Sequence, residues 1–304
     1  MTTIAPMAQS ATPRDGDAVV IPVAANSMMA DSPAAFPETG CLSPQFVPDL
    51  VQVDEPAESE YYIFRSPCRS TKQIAAIQDQ MPSGTFTPPP ADWTHLCNTR
   101  RILTHGGTLR LLALGDSIVN DTMRSGWVAG LEAAYPGVQI QATVYVRSGG
   151  GCQHYRWGDR VQKYILPRRP DLVFIGGISH ASVDDIREVI RQLRKGLPEV
   201  EILLATGAFG RTDPRDAAAM AAASYSGSSE YGRALRALAA EERCAYLDMT
   251  GPWVEYILSS KLHPHRFYRD RTHANEYGEQ ILAKIMLAFF TAPDQHAGTA
   301  RHRP

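Results

Sequence analysis

From Leu109 onward the chain alternates between apolar runs of strand length and segments with helical periodicity. That alternation limits the fold more than any other feature. "LRLLAL" is a short apolar strand, "IVNDTMRSGWVAGLEAAY" reads as one helix, and "VQIQATVYV" is a second strand rich in β-branched residues. "HYRWGDRVQKYIL" reads as helical and "DLVFIGG" as a buried strand. "SVDDIREVIRQLRKGL" is amphipathic, with Ile186, Val189, Ile190 and Leu193 on one face. "VEILLATG" is a fourth strand, and a helix-rich stretch with a break near Gly227 follows. "CAYLDM" is a fifth strand, and "ANEYGEQILAKIMLAFF" closes as a helix. Strands alternating with helices build a parallel sheet covered on both faces, with right-handed crossovers. The expected class is therefore α/β with five parallel strands.

The first hundred residues behave differently. Residues 1–40 are rich in Ala, Pro, Ser, Thr and Met without periodicity and are expected to be disordered. Residues 41–108 read as an extension that packs on the main domain. In it "QFVPDLVQV" and "YYIFRSP" are extended, "STKQIAAIQDQM" is a short helix and "SGTFTPPPADW" is a proline-rich connection. Trp93, Leu96 and Ile102 are its packing residues. The main domain is expected over 109–292, with a disordered tail over 293–304.

A formal net charge of -2 excludes a general nucleic-acid binder, because phosphate neutralisation needs a basic excess. No apolar run reaches the length of a membrane span. The N-terminus lacks a basic start followed by a long apolar core, so no signal peptide is read and a cytoplasmic location is expected. The 5 cysteines, Cys41, Cys68, Cys97, Cys152 and Cys244, show no C-x-x-C spacing. They are expected as separate thiols, with a bridge among Cys41, Cys68 and Cys97 left open for an exported protein.

In an open parallel sheet the reactive residues lie beyond the C-terminal ends of the strands. After the first strand comes Gly115-Asp116-Ser117. A serine at such a turn can expose its hydroxyl and turn its own N–H toward an oxyanion, though the same tripeptide also suits a capped helix start. In "YRDRTHANEYG", Asp270 and His273 are three residues apart, close enough for a carboxylate to orient an imidazole. Alone, that stretch also fits a helix start capped by Asp270 or Thr272. Gly149-Gly150-Gly151 after the second strand lets backbone N–H groups approach a ligand. Neither Gly-rich phosphate motif, no G-x-S-x-G and no H-E-x-x-H is present. His180, His263 and His265 match no metal spacing, so no metal or cofactor is expected.

Together, "LLALGDSIVND" and "RDRTHANEYG" resemble the first and last blocks of the SGNH (GDSL) hydrolase family, over roughly residues 109–290. The resemblance implies a flavodoxin-like three-layer α/β/α sandwich that hydrolyses esters through serine. It implies Ser117 as nucleophile, His273 as base and Asp270 as the acid orienting it. The backbone N–H groups of Ser117 and of Gly151 or Gly150 would line the oxyanion hole. One block departs. Where the family carries G-x-N-D after the third strand, this chain reads "FIGGISH", so Ser179 follows Gly177 at the asparagine position and His180 stands at the aspartate position. A serine hydroxyl has a shorter reach than an amide, and losing one oxyanion donor costs on the order of a hundredfold to a thousandfold in rate. Ser179 or His180 donates instead, or Asn120 swings in, or the chemistry is altered.

The stretch "VYVRSGGGCQHYRWGDR" sets aromatic and polar side chains beside the oxyanion glycines, a mixture suited to sugars more than to a lipid chain. Asp116, Asn120, Arg147, His180 and Trp157 are the expected substrate contacts. The expected substrate is a small-molecule or polysaccharide ester, most simply an O-acetyl ester of a carbohydrate. The alternatives are a lipase or thioesterase on short to medium acyl chains, and an inactive carbohydrate-binding protein on the same fold.

Overall fold

The computed structural model describes residues 71–146, 150–177, 183–207, 212–222 and 230–291. The expectations for residues 1–70, for the tail beyond 291, and for Cys41 and Cys68 lie outside them. Cys97, Cys152 and Cys244 are free thiols.

Two helices precede the sheet, α1 (Thr71–Gln80) and α2 (Cys97–His105), joined by the proline-rich connection. Then come β1 (Gly107–Gly115), α3 (Ser117–Arg124), α4 (Trp127–Ala134), β2 (Val138–Val146) and α5 (Cys152–Tyr155). The order continues with β3 (Leu172–Ile175), α6 (Val183–Gly196), β4 (Glu201–Ala205), α7 (Ala217–Ala222), α8 (Glu230–Glu241), β5 (Ala245–Leu247), α9 (Thr250–Ser260) and α10 (Glu276–Thr291). The five strands form one sheet in the order β2-β1-β3-β4-β5, and every pairing is parallel. This is the expected α/β/α sandwich.

The two faces of the sheet are visible along β1. Leu109, Leu111 and Ala113 enter a core shared with α3, α4, α9 and α10. Leu112 and Leu114 enter the opposite core, shared with α5, α6 and α8. Period-two alternation thus feeds both layers, and the central strands read as continuous apolar runs because neither face meets water. The chain steps from β1 to β2 on one side and returns to β3 on the other. The C-terminal end of β1, where Ser117 begins α3, is therefore the switch point at which ligands bind in such sheets.

Three segments differ from their expected form. The single helix expected over 118–135 is two helices, because the Ser125 hydroxyl and amide both donate to Thr122 O (2.6 and 3.2 Å) and close α3. The helix expected over 154–166 shortens to the single turn of α5. A π-helical turn over Val161–Ile165 and a 3-10 turn over Leu166–Arg168 follow, and Pro167 has no N–H to continue the ladder. Helix α2 was not anticipated at all. Its N-cap residue, Leu96, offers no capping side chain; the Glu201 carboxylate of β4 accepts from the amides of Asn98 and Thr99 instead (2.5 and 2.8 Å). Trp93, Leu96 and Ile102 are buried in the first core, with 5%, 0% and 4% of their surface exposed. Among the described residues no helix is long and apolar enough to cross a membrane.

Candidate active site

The tripeptide after β1 divides its two readings between two residues. Asp116 is the cap: its backbone is extended and its fully buried carboxylate accepts the Ile118 amide at 2.9 Å. That carboxylate lies against the backbone of Gly177 after β3, whose φ is +107°, and a Cβ there would run into it. Ser117, the first residue of α3, is relieved of capping, and its hydroxyl faces another partner.

That partner comes from the loop before α10. A 3-10 turn over Pro264–Phe267 leads to Tyr268, which bridges antiparallel to Ala274 and closes the loop between them. Inside, Asp270 Oδ1 accepts the amides of Thr272 (2.8 Å) and His273 (2.9 Å), a tight Asx turn that presents the imidazole. Asp270 Oδ2 accepts from His273 Nδ1 at 2.8 Å, and Ser117 Oγ lies 2.7 Å from His273 Nε2. With the ring proton on Nδ1, Nε2 accepts the serine hydroxyl. Burial pushes the Asp270 carboxyl up, but the two amides and the imidazole outweigh it and hold the group below its ordinary range. It therefore stays ionised beside the imidazole. The sequence-expected serine, histidine and aspartate thus form one hydrogen-bonded line.

The residues after His273 hold the loop to α10. Asn275 Oδ1 caps α10 through the amides of Tyr277 and Gly278 (3.0 and 3.1 Å), while its Nδ2 donates to Arg266 O (2.9 Å). Gly278 lies so close under the loop that a Cβ would strike the carbonyl of Phe267. The asparagine and glycine of "HANEYG" thus serve the loop's position.

The remaining expected residues divide. Arg147, Gly149, Ser179 and His180 lie outside the described residues. Gly150 and Gly151 stand at the start of α5, their carbonyls accepting the amides of Gln153 and His154 (3.1 Å each). Among the described residues, no hydrogen bond joins them or Trp157 to the serine–histidine–aspartate line. Trp157 is 58% exposed, with the Arg156 guanidinium 4.2 Å from its ring centre and Arg156 in turn ion-paired to Asp185. Asn120 is buried on α3, as is Asp116 before it. His263 and His265 meet edge to face with ring centres 4.3 Å apart. His263 also lies 4.0 Å from Asp213, which the Arg215 hydrogen bond holds down to about 2.

The sequence reading passed over Asp121 and Arg269. Asp121 follows Ser117 by one helical turn and Arg269 directly precedes Asp270, so position relative to the motif residues was the available signal. Asp121 Oδ2 accepts the Ala274 amide (3.0 Å). Its Oδ1 accepts Arg269 Nη1 (3.0 Å), which also donates to Ala274 O (2.9 Å).

Solved structures share this architecture. A two-domain esterase active on acetylated mannans aligns with a TM-score of 0.51 and 13% identity, over 68% of this chain and 54% of that one. An acetylxylan esterase from Geobacillus stearothermophilus aligns with a TM-score of 0.47 and 20% identity, over 62% of this chain and 96% of that one. No family model and no curated protein matches the sequence. At such identities the likeness is one of fold: the chain has the α/β/α sandwich anticipated from its GDS and D-x-x-H blocks.

Proposed function

We propose that this chain is a serine esterase of the SGNH type that removes O-acyl groups, most simply O-acetyl, from a carbohydrate. The observation that carries the reading is the unbroken line from Ser117 Oγ through His273 to Asp270, at 2.7 and 2.8 Å. Nucleophile–base–acid geometry of this kind defines acyl transfer on many folds.

In the proposed reaction Ser117 Oγ attacks the ester carbonyl carbon as its proton passes to His273 Nε2. Asp270 steadies the resulting imidazolium. The Ser117 N–H, with Gly151 or Gly150, receives the negative charge on the carbonyl oxygen. The tetrahedral intermediate collapses, the bond to the sugar oxygen breaks, and that oxygen leaves with the proton from His273. Water then attacks the acyl-serine, giving its proton to His273. The free acid departs and Ser117 takes the proton back.

The choice of a carbohydrate rests on the exposed indole of Trp157, backed by a guanidinium on one side, and on the mannan-active esterase that shares the fold. The test is acetate release from acetylated mannan and acetylated xylan beside p-nitrophenyl esters of increasing chain length, with wild type and Ser117→Ala. Serine-dependent acetate release from the polymers supports the proposal. A rate that climbs with acyl length instead favours a lipase or thioesterase. Polymer binding with no release by wild type favours the inactive binding protein.

A further inference from the structure

We infer that Asp121 and Arg269 are positioning residues that set the distance between Ser117 and His273, by clamping both ends of the base-carrying loop to the helix that carries the nucleophile. The inference rests on the triad reading of Ser117, His273 and Asp270.

The geometry is economical. Ser117 and Asp121 are four residues apart on α3, hence on one face and about 6 Å apart along the axis. The Asp121 carboxylate receives the loop on both sides of the pair it carries: Arg269 immediately before Asp270, and the Ala274 amide immediately after His273. Arg269 completes the ring by donating to Ala274 O, and its own amide donates to His273 O at 3.0 Å. A shift of α3 relative to the loop therefore breaks both Asp121 bonds at once. Asp270 and His273 are themselves partly exposed, and their bonds to each other fix the turn without fixing it to Ser117.

The surroundings are charged on both sides. Asp121 is fully buried, and the equally buried Glu279 of α10 lies 3.8 Å from Arg269 and 3.6 Å from Arg124. Two carboxylates thus face two guanidiniums. Burial outweighs the pull of Arg269, His273 and Arg124 and leaves the Asp121 carboxyl above its ordinary range. Tyr268 of the loop also feels the Asp121 charge and packs edge-on against Trp253. Asp270, 3.9 Å from Arg269, and Arg271 are the other charged residues between Tyr268 and Ala274. A buried ion pair is weak evidence for stability, since desolvation offsets much of its attraction. Position is a better reason to retain one here, because a misplacement of about 1 Å costs on the order of a hundredfold in rate.

The test combines three variants with wild type: Asp121→Asn, Arg269→Lys and Arg269→Gln. Labelling of wild type at Ser117 by a fluorophosphonate comes first, because its absence would sink the triad reading and the clamp with it. Given labelling, Asp121→Asn is expected to lower kcat on p-nitrophenyl acetate by about ten- to a hundredfold, with KM within about twofold of wild type. Arg269→Lys should regain part of the kcat that Arg269→Gln loses. Wild-type kcat for Asp121→Asn, with only the melting temperature reduced, would overturn the inference and leave the pair structural. Should Asp121→Asn fail to fold, the Arg269 pair decides: equal kcat for Lys, Gln and wild type overturns the clamp.

Discussion

The connection from Pro82 to Trp93 and the loop from Tyr268 to Ala274 are both irregular chain laid against the same helices, yet they are fastened by different chemistry. The connection is held by apolar anchors. Trp93 and Ala91 are buried, Trp93 packs on Phe290, and Phe86 faces Tyr256. Of its polar ties, Thr85 to Ser259 and Thr87 to Glu255 lie at the exposed surface, and the inner ones are single bonds to backbone carbonyls, Trp93 Nε1 to Phe289 O (3.3 Å) and the Tyr256 hydroxyl to Pro82 O (2.8 Å). The loop is instead held by a buried carboxylate, a guanidinium and an asparagine. Apolar burial has no direction and tolerates small displacements, whereas hydrogen bonds decay steeply with angle and distance. The segment that need only cover the core uses the first. The segment that must hold an imidazole 2.7 Å from a hydroxyl uses the second.

Four substitutions probe that contrast, beginning with the largest effect. Ser117→Ala should lower esterase kcat on the order of ten-thousandfold or more while leaving the melting temperature near wild type, since the Asp116 cap is untouched. Trp93→Ala should cost about 3–5 kcal/mol of stability in denaturant titrations and leave the proposed esterase kcat of the folded protein unchanged. A comparable loss of kcat there would break the distinction between covering and positioning. Asn275→Ala should show the opposite balance: about 1 kcal/mol from the lost cap, but roughly tenfold in kcat as the loop loosens from α10.

The smallest effect is expected at the far end of β1, where Asp171 accepts a bidentate pair from Arg110 (3.0 and 2.6 Å). Burial raises the Asp171 carboxyl, but the Arg110 bonds prevail and hold it below its ordinary range. Such a group stabilises the fold above the unfolded-state value, about 3.9, and the contribution is lost as pH falls through the lower folded value. Asp171→Asn should therefore lower the melting temperature by about 2 °C at neutral pH, given the exposed arginine, and the difference should shrink in acid. A difference that persists at pH 2 would assign the effect to packing.

Much of the molecule was legible in local pattern. The central strands were found within a few residues because a strand buried on both faces must be apolar throughout, whatever packs on it, whereas the edge strand β2, with Gln139 and Gln141 exposed, was found by its β-branched residues. Ser117, Asp270 and His273 were picked out by the two blocks together, since each alone also fits a capped helix start; their placement rests on short-range features, a capped turn at a strand end and an aspartate whose amide bonds curl the chain back by three residues. The asparagine and glycine of the last block were visible only as part of a pattern. Their purpose, an amide bond to Arg266 and a close approach to Phe267, needs the loop in place.

What local pattern could not reach shares one physical cause, a partner far along the chain. Helix α2 depends on Glu201, more than a hundred residues away, for the cap its own sequence lacks. Arg269 is one of many exposed-looking arginines until folding brings it 3.0 Å from Asp121, 148 positions distant in sequence. Residue types and short spacings, taken together, were enough to nominate the groups of the proposed chemistry. How firmly those groups face one another depends on buried charges that meet only when α3, the loop and α10 are assembled.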